Sequence, residues 1–465
     1  MGSDERIASP FFFRGPVPDF PFPIFDFFPT KKIVAREKRF SYLVATSAHG
    51  IALAPPVIAR REPTGDRDRM TRIGFAYNQK PDDSTEDEGP VGVSSVGSID
   101  EDQPSFAGAL SARMGTSISV ERTPSVPRAD DAFAEWDAAE TIAAVERALT
   151  GLGEVVRLEA TADLPQRLRD TRPDIVFNMA EGLTGQNREA HVPAICEFYG
   201  IPYTGSDPFT LSLALNKART KQMLQVYGIR TAPFALVDSL AEARVVKRSG
   251  QLRFPVFAKP VQEGSSKGIT ERNYIRDGSE LLACVAELLE VYEQPVLVEE
   301  FLPGAEFTCG VLGNGKDARV LPVVGMRFDA LPDGALPIYG FEAKWIWDTP
   351  DQPLNMFECP AAIDSTLRTA IEQITLRAYN ALGCRDWSRI DVRLDAAGVP
   401  NVVEVNPLPG ILPNPEDNSC LPKAAAVAGM TYDELIQSCV LAAAKRQGIR
   451  IKARRGAGAG GATRR

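Results

Sequence analysis

The chain has 465 residues, 44% hydrophobic and 24% charged, which is ordinary globular composition and enough for two or three packed domains. A formal net charge of −9 argues against nucleic acid as the main partner, and no run of 18 apolar residues marks a membrane span. Seven scattered cysteines, never spaced C-x-x-C, read as reduced thiols of a cytoplasmic protein; only two histidines, His49 and His191, disfavour nucleophile–histidine chemistry.

Residues 1–69 differ from the rest. Eight phenylalanines between Phe11 and Phe28 are broken by Pro16, Pro18, Pro21 and Pro23, so a disordered or non-native extension is expected, with the fold starting at Met70. Met70 opens an apolar strand. The stretch from 81 to 128, with Asp82, Asp83, Glu86, Asp87 and Glu88 at its start, reads as a disordered acidic insert. Asp131 to Leu149 is expected to be helical, Val155–Leu158 and Asp174–Asn178 to be strands, and Glu189–Tyr199 to be a helix stopped by Gly200. His191 lies on that helix and is expected to be packed. Repeated βα units imply a mostly parallel sheet. Lys217–Tyr227 is a further helix. From Phe254 the pattern changes to longer strands with glycine turns, ending in a helix near Tyr432–Lys445 and a disordered tail over 449–465.

The strongest chemical signal is Asp386-Trp-Ser-Arg389-Ile-Asp391-Val-Arg-Leu394, a turn at Asp395–Gly398, and Val402-Val-Glu404-Val-Asn406-Pro-Leu-Pro-Gly410. This reads as a β-hairpin in which Arg389 and Asp391 share one face and Glu404 and Asn406 share another. If the faces coincide, two carboxylates, an amide and a guanidinium converge, as magnesium and a moving phosphoryl group require. The alternative is a hairpin with a solvated polar face. Next, Phe254-Pro-Val-Phe-Ala-Lys259-Pro leads into Glu263-Gly-Ser265-Ser266-Lys267-Gly268, an apolar strand ending in lysine before a Gly/Ser loop. That suits phosphate binding, although it is neither a Walker A loop nor a dinucleotide fingerprint. Finally, a hydrophobic strand ends in Glu299-Glu300-Phe-Leu302 and is followed by Glu306, which suits an adenine edge and a ribose.

Taken in order, these segments resemble the D-alanine–D-alanine ligase family of the ATP-grasp superfamily, over about 174–444. Supporting matches are Ile201-Pro-Tyr-Thr-Gly-Ser206, Leu215-Asn-Lys217 and Glu342-Ala-Lys344. The resemblance implies an ATP-grasp fold of mixed α/β and α+β character. An N-terminal parallel-sheet α/β domain (70–213) would precede a central lobe (214–302) and a C-terminal lobe (303–448). It implies ATP held by Lys217, Lys259, Lys344, Ser265, Ser266, Glu299, Leu302 and Glu306, with two Mg²⁺ (or Mn²⁺) on Asp391, Glu404 and Asn406. Arg389 and the Gly410 backbone, with Ser265 in the closing loop, would serve catalysis, and Ser419 would touch the acceptor. The partner implied is a small amino acid or peptide, and a homodimer is plausible.

The amino-acid half departs from the family pattern. Asn178-Met-Ala-Glu181-Gly-Leu-Thr-Gly-Gln-Asn-Arg188-Glu189 stands where a His-Gly and Gly-Glu-Asp-Gly stretch is expected, no amine-binding glutamate is recognisable near Tyr77–Gln79, and Trp345 replaces a tyrosine or phenylalanine. Glu181, Arg188 and Glu189 are candidate substrate contacts, with an exposed helix start as the alternative. The reading is an ATP-dependent carboxylate–amine ligase working through an acyl phosphate. D-alanine–D-alanine synthesis, a non-catalytic ATP-binding protein and a phosphotransferase are the competing readings.

Overall fold

The computed structural model describes residues 69–81, 133–332, 334–340, 342–347, 354–414 and 419–452. The N-terminal extension up to residue 68, the acidic insert beyond Pro81, and the tail beyond Lys452 lie outside the described residues, as do the side chains of Glu342 and Trp345.

Among the described residues the chain forms three sheets. The first unit runs β1 (Arg72–Tyr77), α1 (Ala139–Thr150), β2 (Glu154–Glu159), α2 (Leu164–Thr171) and β3 (Ile175–Asn178). Its strands pair in parallel in the order β2-β1-β3. Helices α3 (His191–Tyr199), α4 (Pro208–Leu215) and α5 (Lys217–Val226) lead out of it. The second sheet, in the order β4-β7-β5-β6, is antiparallel and comprises β4 (Phe234–Val237), β5 (Val256–Pro260), β6 (Tyr274–Ile275) and β7 (Val296–Glu300). Between these strands run α6 (Leu240–Ser249) and α7 (Gly278–Tyr292), of which α6 buries Ala243 and α7 buries Leu281, Val285 and Leu288 in the core with the sheet. Asp277 caps α7 by accepting from the Ser279 and Glu280 amides, as a side-chain oxygen at that position does.

The third sheet holds β8 (Glu306–Leu312), β9 (Arg319–Val320), β10 (Val324–Met326), β11 (Phe357–Glu358), β12 (Trp387–Leu394) and β13 (Pro400–Asn406), in the order β11-β10-β8-β12-β13 with β9 beside β8. Helix α8 (Ser365–Ala381) covers one face, burying Ile371, Ile374 and Tyr379 with Ile390, Val392 and Val405. Alternation explains the arrangement: apolar side chains of β12 and β13 turn to α8, so Arg389, Asp391, Glu404 and Asn406 turn to the opposite face. Helices α9 (Cys420–Val427) and α10 (Tyr432–Gln447) complete the chain, and one core cluster joins α10 to α1 and β1. The C-terminal helix is thereby part of the N-terminal layer's packing. No helix among the described residues is long and apolar enough to cross a membrane.

The structure corrects three expectations. The helix expected from Asp131 starts only at Ala139, because the Asp137 amide donates to the Asn78 carbonyl and the Lys80 amide to the Asp137 carbonyl. Strand-like pairing to the end of β1 thus claims the backbone that a helix would need. The tail expected from residue 449 is ordered as far as 452: Ile449 and Ile451 pack on the core, and Lys452 pairs with Thr71 at 3.2 and 2.7 Å. His191, expected to be packed, is exposed.

Candidate active site

A cavity of about 500 Å³ is walled by the second and third sheets and closed by the 133–138 segment, Glu181 and Glu189. Lys217, Lys259, Ser265, Ser266, Glu299, Leu302, Glu306, Lys344, Arg389, Asp391, Glu404, Asn406, Gly410, Ser419 and Glu181 all line it. Of the candidates named from the sequence, Arg188 alone stands off the wall.

The hairpin fixes one end. Arg389 is paired with Asn406 and Asp391 with Glu404 in the β12–β13 register, so the two faces left open by the sequence do coincide. Arg389 Nη2 lies 3.1 Å from Asp391 and 3.7 Å from Glu404, and Lys217 Nζ lies 3.0 Å from Glu404. Burial pushes the Glu404 carboxyl up, but Lys217, Lys259 and Arg389 outweigh it and hold the group at about 2. Burial pulls the Lys344 ammonium down to about 8, with the Arg389 charge adding to the effect. Asn406 accepts from the Leu408 amide at 3.0 Å, which sets the turn toward Gly410. The Ser419 hydroxyl accepts from Leu412 at 3.2 Å and donates to the Gly410 carbonyl at 3.3 Å, so it pins the loop that carries Gly410.

Behind this face sits a buried triad. Lys259 reaches Glu299 Oε1 at 2.8 Å, and Lys221 reaches Oε2 at 2.7 Å while donating to Thr231 Oγ1 at 2.7 Å. Burial opposes ionisation of Glu299, but the two ammonium groups win and keep it at about 2. Burial lowers Lys221 below an ordinary lysine; Lys259, opposed by the same burial, is raised by Glu299 and Glu404. The Glu299 carboxylate, expected beside adenine, is therefore occupied in anchoring two lysines, although the residue lines the cavity. Glu306 is likewise held by Arg393 at 2.7 Å, and Arg393 lies over the Phe301 ring at 4.6 Å.

The Gly/Ser loop folds over the opposite rim. Ser265 and Ser266 adopt φ of 48° and 62°, a left-handed turn uncommon for residues with a side chain, and Ser266 donates to the Tyr339 carbonyl at 3.1 Å. Lys267 closes on Glu135 and Glu263, each at 2.8 Å. A Cβ on Gly264 would sit 2.1 Å from Glu135 Oε1, so glycine is what lets this carboxylate come in under the loop.

Glu135 was not recognised from the sequence; neither were Asp137, Lys221 and Lys267. The run Phe133-Ala-Glu-Trp-Asp137, with aromatic residues bracketing acids at the edge of a polar insert, was the available signal. Arg188 donates to both Glu135 oxygens at 3.1 Å and to the Gln262 carbonyl at 3.1 Å. It is a strut for Glu135 rather than a wall of the cavity. Gly182 fits beneath it at φ 71°, where a Cβ would lie 2.7 Å from the Arg188 carbonyl. Burial drives Glu135 up, but Arg188 and Lys267 bring it below an ordinary glutamate. The other acids of this end go the opposite way. Burial raises Asp137 to about 7; burial and then the Glu189 charge raise Glu181; burial, against Arg188, raises Glu189 to about 7.

Asp391, Glu404 and Asn406 offer two carboxylates and an amide to a hard cation. Among the described residues no cluster of three or more His, Cys, Asp or Glu forms a metal cage. This donor set fits Mg²⁺, which takes few protein ligands and fills its remaining positions with phosphate oxygens and water.

Two antiparallel sheets facing each other across lysines, paired acids and a Gly/Ser loop define an ATP-grasp ligase. Residues 223–441 match the family described as D-ala D-ala ligase C-terminus. The chain is 36% identical over 271 residues to a D-alanine–D-alanine ligase of Bordetella petrii, spanning 58% of this chain and 76% of that one. It is 36% identical over 299 residues to another from Actinobacillus pleuropneumoniae, spanning 63% and 89%. The fold superposes on a D-alanine–D-alanine ligase of Bacillus anthracis solved with ATP, with a TM-score of 0.52, 18% identity, and coverage of 81% of this chain and 99% of that one. The chain belongs to the D-alanine–D-alanine ligase family and is an ATP-dependent ligase of that kind.

Proposed function

We propose that this enzyme activates an amino-acid carboxylate as an acyl phosphate and couples it to the amine of a second amino acid or short peptide, releasing ADP and phosphate. The observation that carries this reading is the register of β12 and β13, which sets Arg389 opposite Asn406 and Asp391 opposite Glu404 within reach of Lys217. Lys217, Lys259 and Lys344 grip the triphosphate, while the adenine and ribose lie along Leu302, Glu299 and Glu306. Asp391, Glu404 and Asn406 would hold magnesium, which supplies charge neutralisation to the phosphates when bound.

In this mechanism the protein contributes alignment and charge rather than a covalent nucleophile. Lys217 and Lys259 orient the phosphates so that the substrate carboxylate faces the γ-phosphorus. Arg389 lies where negative charge builds up on the moving phosphoryl group and then on the tetrahedral intermediate; the Gly410 backbone adds to the same stabilisation. The Ser265–Ser266 loop excludes water that would hydrolyse the acyl phosphate. Ser419 holds the acceptor side by fixing the Gly410 loop. ATP use and free thiols fit a cytoplasmic enzyme, and a homodimer is implied by the family resemblance.

The test is phosphate release by the purified protein with Mg-ATP and each D- and L-amino acid, singly and in pairs, with products read by mass spectrometry. Release tied to a dipeptide-like product supports the ligase. ATP binding without release for any pair sinks it. The names of the relatives favour a second reading, D-alanine as both substrates, which requires release with D-alanine alone and a D-alanyl-D-alanine product.

A further inference from the structure

Among the described residues, carboxylates outnumber cations at the acidic end of the cavity. Glu135, Asp137, Glu181 and Glu189 face it or stand at its wall. Two buried cations at this end, Arg188 and Lys267, both converge on Glu135, Lys267 being shared with Glu263; the exposed Lys80, whose amide donates to the Asp137 carbonyl at 2.9 Å, also lines the cavity. No hydrogen bond from a described residue reaches the carboxylates of Asp137, Glu181 or Glu189. For Asp137 and Glu181, which are only partly buried, water can make good the deficit. Glu189 is the most enclosed of the three: it is 8% exposed, lines the cavity, and accepts no hydrogen bond from a described residue. A carboxylate enclosed in this way takes its donors from water in the cavity or from a ligand. Beside it, Phe133 and Trp136 form an edge-on aromatic pair at 4.8 Å, anchored by the Trp136 indole on the Gly182 carbonyl at 3.1 Å.

One ammonium group would satisfy one carboxylate and leave the rest of this end unbalanced. Resting on the ligase reading above, we propose that the amino acid occupying this end is dicationic: an α-ammonium and a side-chain ammonium or guanidinium, shared among Glu181, Glu189 and Asp137. Its aliphatic stem runs beside Phe133 and Trp136, and its single carboxylate points to Lys217 and Arg389. The substrate's charges then mirror the cavity, two positive at the acidic end and one negative at the phosphate end.

The experiment measures phosphate release by the full chain with Mg-ATP. The panel is alanine, serine, glutamate, lysine, ornithine and arginine in both enantiomers, together with lysine acetylated on its side-chain nitrogen, each alone and in pairs. The best dicationic amino acid is expected to exceed alanine in kcat/KM by about a hundredfold, and acetylation should remove that advantage. Glu189→Gln is expected to raise KM for it about tenfold or more, leaving KM for ATP unchanged. Should that variant misfold, calorimetric titration of lysine into the wild-type protein holding a non-hydrolysable ATP analogue gives the same answer, binding for lysine and none for its acetylated form. Turnover of neutral amino acids as fast as dicationic ones overturns this inference and leaves the ligase standing. Absence of release with every pair, while Mg-ATP binds, removes the ligase reading and this inference with it.

Discussion

The two ends of the cavity handle buried charge in opposite ways. At the phosphate end each carboxylate has a cation from the protein: Glu299 has Lys221 and Lys259, Glu404 has Lys217, Asp391 has Arg389, and Glu306 has Arg393. Those pairs form within the protein itself, and with Lys344 the cations named at this end outnumber its carboxylates, which suits a polyanionic ligand. At the acidic end, among the described residues, Glu135 has Arg188 and Lys267 and Glu263 shares Lys267, while Asp137, Glu181 and Glu189 form no ion pair. Burial raises Asp137, Glu181 and Glu189 above ordinary carboxylates, and none of the three accepts a hydrogen bond from a described residue. The first arrangement favours a fixed cofactor geometry. The second reserves free energy for discriminating between substrates.

The largest effect that tests this contrast is catalytic. Arg389→Ala should lower kcat for phosphate release by about a hundred- to a thousandfold, because a preorganised cation is lost where charge develops. A loss below about tenfold would show that Arg389 is a structural partner of Asp391 and no more. Glu299→Ala should come next, costing about 3–5 kcal/mol in chemical unfolding, since it strands two buried ammonium groups. Unchanged unfolding would mean that water replaces the carboxylate and that the triad is dispensable.

The ends should also differ in the sign of their pH dependence. Glu299 sits at about 2 when folded, against 4.5 as the ordinary value, so its contribution is complete above 4.5 and drains away as pH falls toward 2. Glu189 sits at about 7, so the unliganded protein loses stability from this group as pH rises from 4.5 to 7, by roughly 2–3 kcal/mol. Glu189→Gln should flatten that loss in urea unfolding measured across the same range; a slope unchanged by the substitution would place the titrating group elsewhere. The smallest effect belongs to a residue outside both ends. His191→Ala, at an exposed helix start, should change stability by less than about 0.5 kcal/mol and leave turnover intact, and a larger loss of turnover would extend the site onto α3.

Much of the phosphate end was readable because its information is local. Strand alternation around Arg389-Ile-Asp391 and Glu404-Val-Asn406 states which side chains share a face, and a Gly-containing turn states that the strands pair. The same local logic placed Lys259 at a strand end before its loop. It failed at Asp131–Leu149, where helical composition was overridden by pairing of residue 137 with the end of β1. It did not reveal the ion pairs of Glu299 with Lys221 and Lys259 or of Arg188 with Glu135, which depend on charges lying across the fold.

By itself, then, the sequence determined the order of elements, the hairpin with its converging acids and arginine, and the Gly/Ser loop after a lysine-ended strand, since periodicity and turn chemistry act over a few residues. Only the tertiary structure decided which carboxylates are neutralised. Glu135 meets Arg188 and Lys267 from 53 and 132 residues away, while Glu189 is buried without a hydrogen bond from any described residue. Desolvation and Coulomb energy sum over everything nearby in space, and no pattern along the chain records that sum.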